Sequence, residues 1–215
     1  MKRTYPFLVG VTGGLGSGKS MVCHFFSKMG CRIFESDKIA KELQLHDPEV
    51  IKGITELFGT KVYSCDASGA MVLDRKKIAS TVFSAPDKLD SLNRLIHPRV
   101  SSEFRKAVLE AEQQCTKILV KEAAILFESG GNDGLDAVIV VVADIEDRLE
   151  RAVQKGMGPR EEIMRRIATQ WPQETLVAKA DYVLFNKGSL DALKKETEAL
   201  YSTLLVAAAS VCDNT

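Results

Sequence analysis

At 215 residues the chain has room for one domain with insertions, or for one and a half domains. Hydrophobic residues make up 45% and charged residues 27%, an ordinary globular mixture, with no apolar run near the roughly 18 residues of a membrane span. Basic and acidic side chains number 29 each, and a net charge of zero argues against a polyanion such as nucleic acid as partner.

Met1–Tyr5 lead directly into an apolar run, which leaves no room for a signal peptide. That run, Phe7–Val11, reads as the first strand. Gly13-Gly14-Leu15-Gly16-Ser17-Gly18-Lys19-Ser20 follow it and match G-x-x-x-x-G-K-[ST] at every fixed position. Val22, Phe25, Phe26 and Met29 then recur at helical spacing, so a helix is expected over 19–29, stopped by Gly30. Cys31–Glu35 reads as the second strand, and helices are expected at 37–45 and 48–58. About 80 residues separate Glu35 from Ile118, far more than a crossover needs. Within them 74–115 reads as helix after helix, with Ile78, Val82 and Phe83, then Leu89, Leu92, Leu95 and Ile96, then Val100, Phe104, Val108 and Leu109. Ile118–Glu122 and Ala137–Val142 are continuous β-branched-rich runs, as expected of strands buried on both faces of a parallel sheet. Helices at 145–155 and 160–170, a strand at Tyr182–Phe185 and a helix at 190–205 complete the alternation, with a frayed tail from Ala207. The five cysteines (Cys23, Cys31, Cys65, Cys115, Cys212) are odd in number and form no C-x-x-C pair, so reduced thiols in a cytoplasmic protein and no metal cluster are expected.

Strand–loop–helix context is what makes the glycine-rich motif a phosphate loop. Its glycines let backbone N–H groups turn inward, and the following helix aims its positive end at the same point. Lys19 would reach the β- and γ-phosphates, and the Ser20 hydroxyl would hold Mg²⁺. The triphosphate is therefore a bound substrate, and other residues must show where its phosphate goes. Asp37, just after the second strand, is either a base that orients an acceptor hydroxyl or a helix-capping acid. Glu122 ends its strand where an acid can hold Mg²⁺, directly or through water, and Glu128 is a weaker candidate. Arg148, Arg151 and Lys155 share one helix face, and Arg160, Arg165 and Arg166 follow a Gly/Pro turn. Together they read either as a phosphate-closing lid or as a solvated face. His97, beside Pro98 and Arg99, reads as a helix-boundary hydrogen-bonder with possible substrate contact. A GTPase is disfavoured because Ser189 stands where N-K-x-D needs its acid, although Asp66-Ala67-Ser68-Gly69 matches D-x-x-G.

Taken together, the chain resembles the dephospho-coenzyme A kinase family over about 7–205. The resemblance rests on the phosphate loop, Phe34–Glu42, Leu92–Val100 with its His-Pro pair, Ala124–Glu128, Arg166–Gln170 and Ala180–Asn186. It departs from the family at Glu35, Met21, Ala124 and Lys155. The resemblance implies an α/β three-layer P-loop fold with a five-stranded parallel sheet over 7–206. The core would comprise 7–60, 116–147 and 172–206, the helical acceptor insertion 74–115 and the lid 148–171. It implies transfer from ATP, with Mg²⁺, to the ribose 3′-hydroxyl of dephospho-CoA. Asp37, Lys19, Arg148 and Arg151 would be catalytic. Gly14, Leu15, Gly16, Ser17, Gly18, Lys19, Ser20, Met21 and Asn186 would bind nucleotide. Asp37, His97, Arg99 and Glu122 would bind acceptor, with Ser20 (and Glu122 through water) at the metal. A monomer or small homo-oligomer without membrane or nucleic-acid partners is expected. Another small-molecule or nucleoside monophosphate kinase, or a non-catalytic nucleotide module, is the alternative.

Overall fold

The computed structural model describes residues 6–213, apart from the side chains of 83, 84, 86 and 211–213; Met1–Tyr5 and Phe83 of the expectations above lie outside that description. Two compact units emerge, one formed by the chain up to Glu35 together with Lys106 onward, the other by Ser36–Arg105.

The first unit is built on a five-stranded parallel sheet. Its strands are β1 (Phe7–Thr12), β2 (Arg32–Glu35), β5 (Ile118–Glu122), β6 (Ala137–Val142) and β7 (Tyr182–Phe185). Their order is β2-β5-β1-β6-β7, so β1 lies in the middle with β5 and β6 as neighbours. A parallel sheet of this kind opens its ligand crevice at the carboxyl ends of strands where the chain leaves toward opposite edges. β1 is that place, since β2 lies to one side of it and β6 and β7 to the other. Every residue of β6 is buried, as its unbroken β-branched run requires. Helix α1 (Lys19–Lys28) buries Val22, Cys23 and Phe26 against Val9, Val11, Ile118, Val120, Ile139 and Val141, and α9 (Leu190–Asp213) adds Leu193 and Leu204. The expected frayed tail is instead the end of α9, which continues to Asp213; Ala207 and Ala208 pack against the core, which extends the helix past its expected stop.

The Ser36–Arg105 unit has its own core of Val50, Ile54, Val62, Leu73, Ile78 and Ile96. Helix α2 (Ser36–His46) follows β2 directly, and α3 (Pro48–Phe58) starts at an Asp47 N-cap that accepts hydrogen bonds from the Glu49 and Val50 amides, with Pro48 at the first helical position. A hairpin of β3 (Tyr63–Cys65) and β4 (Met71–Leu73) follows, which the sequence reading passed over because its strands are three residues each and largely exposed. Asp66-Ala67-Ser68-Gly69 is the turn of that hairpin. Asp66 Oδ1 accepts from the Ser68 amide, the Ser68 hydroxyl and the Ala70 amide, so the D-x-x-G match is turn chemistry. Those bonds, the Ser68 hydroxyl foremost, hold the Asp66 carboxyl below the usual carboxylate range.

The helical stretch resolves into α4 (Arg75–Ser84) and α5 (Pro86–Gln113). The expected boundary at His97-Pro98 is absent: Pro98 lies inside α5. Proline there removes one helix hydrogen bond, that to the Arg94 carbonyl, and one residue on Arg99 Nη1 folds back to the Leu95 carbonyl at 3.0 Å.

Candidate active site

The phosphate loop leaves the carboxyl end of β1 and closes on α1. Gly18 has φ +104°, a left-handed conformation, and a Cβ there would sit 2.3 Å from Asn186 Nδ2. At Gly14 a Cβ would meet Arg148 Nη2 at 2.1 Å. Gly18 is required by its left-handed backbone, whereas at Gly14 a side chain would displace the tip of Arg148.

Three long-range contacts hold it. Asn186, at the end of β7, donates from Nδ2 to the Ser17 carbonyl at 2.8 Å and is itself buried. Arg148, on α6 (Ile145–Gln154), donates from Nε to the Leu15 carbonyl at 2.9 Å. Gln170, just beyond α7 (Arg160–Ala168), accepts from the Leu15 amide at 2.8 Å. Lys19 folds back over the loop and donates to the Gly13 and Gly14 carbonyls at 2.7 and 3.2 Å. The Ser17 and Thr12 hydroxyls are buried below the loop with no hydrogen-bond partner. Ser20 is exposed in the first turn of α1, while Met21 packs against the main core and its amide donates to the Gly18 carbonyl.

Arg148 is 7% exposed, and that number decides its character. It is a strut wedged against Gly14 and Leu15, and burial pulls its guanidinium below the ordinary value. Arg151, expected beside it, donates from Nη2 to the Asn186 carbonyl at 3.3 Å and pairs with Asp147 at 3.4 Å. The α7 arginines differ. Arg160, Arg165 and Arg166 are exposed, as is Lys155. A short α8 (Gln173–Val177) follows them, packed through Leu176 on Val140 and Val142.

Two acids meet at neighbouring strand ends. Glu122 of β5 is the register partner of Val11 on β1 and of Glu35 on β2. Both carboxylates act on Cys23 of α1: its thiol is pushed well above the usual range first by burial, then by Glu122, with Lys19 opposing and Glu35 adding. Glu35 and Glu122 thus stand side by side at the carboxyl ends of β2 and β5, and with Lys19 they bear on Cys23 of α1. From the sequence Glu35 is a departure from the family pattern and, with Ser36, a competitor of Asp37 for the capping or orienting role; its register with Glu122 is invisible without strand pairing. The two Glu128 carboxylate oxygens are buried without a hydrogen-bond partner among the described residues.

In the Ser36–Arg105 unit, Asp37 is exposed in the first turn of α2, and among the described residues its carboxylate has no hydrogen-bond or ion-pair partner. The neighbouring Ser36 hydroxyl is buried and unpartnered. Arg99 is committed within its unit, with Nε 3.5 Å from Asp47. His97 is half-buried, and burial lowers its pKa, which keeps the ring neutral at pH 7.

A family model described as dephospho-CoA kinase matches residues 7–192. The chain belongs to the dephospho-CoA kinase family. It is 57% identical over 210 residues to a dephospho-CoA kinase of Chlorobium luteolum, spanning 98% of this chain and 96% of that one. A solved protein from Thermus thermophilus aligns at 28% identity with a TM-score of 0.78, over 93% of this chain and 98% of that one. The dephospho-CoA kinase from Campylobacter jejuni aligns with a TM-score of 0.68 over 94% and 98% at 22% identity, a likeness of fold. The five-stranded parallel sheet implied by the family resemblance is present, and among the described residues no helix is long and apolar enough to cross a membrane.

Proposed function

We propose that the protein transfers the γ-phosphoryl group of ATP to the ribose 3′-hydroxyl of dephospho-CoA, releasing coenzyme A and ADP, in the cytoplasm. The supporting observation is the pinned phosphate loop at the carboxyl end of β1 in a chain of this family. In the transfer, the acceptor O3′–P bond forms as the Pγ–O bond to ADP breaks. The hydroxyl proton passes to Asp37, whose carboxylate has no partner among the described residues to release. Lys19 exchanges its loop carbonyls for the phosphates, so its charge reaches the transferring group without a large movement.

Mg²⁺ fits this donor set. Ser20 offers an exposed hydroxyl, and Glu122 with Glu35 offers hard carboxylate oxygens. Among the described residues no group of three or more His, Cys, Asp or Glu forms a cage, which suits an ion held largely by nucleotide phosphates. When bound, the ion neutralises charge on the β- and γ-oxygens. Asn186 serves the nucleotide through Ser17, whose carbonyl takes one of its two side-chain N–H groups. Arg148 acts by fixing the loop, and the exposed α7 arginines would close over phosphate by giving up their present partners, Glu146 for Arg160 and the Glu161 and Met157 carbonyls for Arg165 and Arg166. His97 and Arg99 shape the acceptor unit from within.

An acceptor panel with ATP and Mg²⁺ tests this reading. Dephospho-CoA is expected to be phosphorylated efficiently, with shikimate and nucleoside monophosphates near background. Efficient transfer to one of those instead, or no ADP release with any acceptor, overturns it.

A further inference from the structure

Gln170 has no part in the chemistry above, yet its side chain makes one of the three long-range bonds to the phosphate loop. A phosphate loop works by aiming its amides into one concavity. The Leu15 amide is aimed elsewhere, at Gln170 Oε1, 2.8 Å away. The Leu15 carbonyl is taken by Arg148 Nε at 2.9 Å. Its side chain packs with Met157 and Ile167 on the buried cluster of Leu149, Ala152 and Ile163, which joins α6 to α7. Both polar groups and the side chain of one loop residue are therefore held by the 148–170 segment.

We propose that Gln170 is a positioning residue for the donor nucleotide. By accepting the Leu15 N–H it fixes the first bend of the loop, and so the direction in which the amides from Gly16 to Lys19 point. The physical reason lies in the glycines. Gly13, Gly14, Gly16 and Gly18 leave the loop few side chains of its own to hold it. Leu15 is the anchor among them, and an unpinned Leu15 peptide leaves the loop to be ordered by the nucleotide, at a cost in affinity. The Gln170 backbone is itself tied down, its amide donating to the Ile167 carbonyl at 3.1 Å, so the acceptor is presented from a fixed base. The same bond ties α7, with its exposed arginines, to the loop they are proposed to close over, and this part rests on the functional reading given above.

The test is Gln170→Met, which keeps the length and bulk of the side chain and removes the acceptor. ATP affinity is measured by calorimetry without any acceptor, so its outcome stands even if dephospho-CoA proves not to be the substrate. A weakening of roughly tenfold is expected, the equivalent of about 1.4 kcal/mol for one lost hydrogen bond. Exchange of the Leu15 amide with deuterium should accelerate in the same variant while the melting temperature stays nearly unchanged. The KM for dephospho-CoA should hold, which separates positioning of the donor from general loosening. Unchanged ATP affinity alongside faster Leu15 exchange overturns the proposal. So does a loss of affinity that only follows a large fall in melting temperature, since that marks a purely structural glutamine.

Discussion

The phosphate loop and Asp37 are held in opposite ways. The loop is pinned by Arg148, Gln170 and Asn186, which lie 133, 155 and 169 residues from their partners in the chain. Asp37 is exposed and has no partner among the described residues. The difference follows from what each must do. A loop that reads a phosphate needs its dipoles oriented before the ligand arrives, because reorienting them at the moment of reaction costs free energy. An acid that takes a proton needs an uncommitted lone pair, and burial in a hydrogen-bond network removes that freedom. On the proposed reading the donor side is preorganised, and the acid assigned to the acceptor is left open.

The largest expected effect is at the open end. Asp37→Asn should lower turnover by roughly two to four orders of magnitude with ATP affinity intact. Near-normal turnover would remove Asp37 as the base and end the contrast on that side. Lys19→Ala attacks the pinned end and should cost about a hundredfold to a thousandfold in kcat/KM, with weaker ATP binding as well. If only the KM for ATP moved, Lys19 would be a binding group without a part in the transfer. Ile54→Ala removes a fully buried side chain from the core of the Ser36–Arg105 unit and should destabilise that unit by about 2–5 kcal/mol. ATP affinity should survive this change while use of dephospho-CoA falls, and parallel losses of both would show that the two sides are not energetically separate.

Thiols sharpen the same contrast with the smallest effect. Cys23 and Cys31 are buried in the core of the loop's unit, whereas Cys65, in the inserted hairpin, and Cys115 are exposed. Iodoacetamide at neutral pH should label Cys65 and Cys115 and spare Cys23 and Cys31; Cys212 lies outside the described side chains. Burial pushes the Cys31 thiol up to about 12, from 9.0. Between those values the unfolded chain has lost the thiol proton and the folded chain has kept it. Stability from this group is thus complete below about 9 and declines as pH rises toward 12. A urea midpoint that did not fall between pH 8 and pH 10.5 would count against that burial.

Much of this was legible in the residue order. All five sheet strands lie within a residue or two of where apolar runs put them, and α3 starts at the proline and stops at the glycine that its sequence shows. Such features are local: periodicity, caps and turn residues act over a few neighbours. The β3–β4 hairpin was missed because three-residue exposed strands carry no periodic signal. The helix boundary expected at Pro98 failed because proline's local preference was outweighed by the rest of α5, buried through Ile96 and Phe104.

The residues of the site divide along the same line. The sequence by itself determined that a triphosphate loop follows the first strand, that Lys19 and Ser20 sit at its end and that an acid follows the second strand, since each is a matter of spacing along one stretch of chain. Tertiary structure alone decided that Arg148 is a buried strut under the loop, that Asn186 holds Ser17, that Gln170 holds Leu15 and that Glu35 faces Glu122 across a strand pair. Those are contacts between segments far apart in the chain, created by the parallel crossovers that bring the strands' carboxyl ends to one edge, and no short-range pattern encodes which side chains meet there.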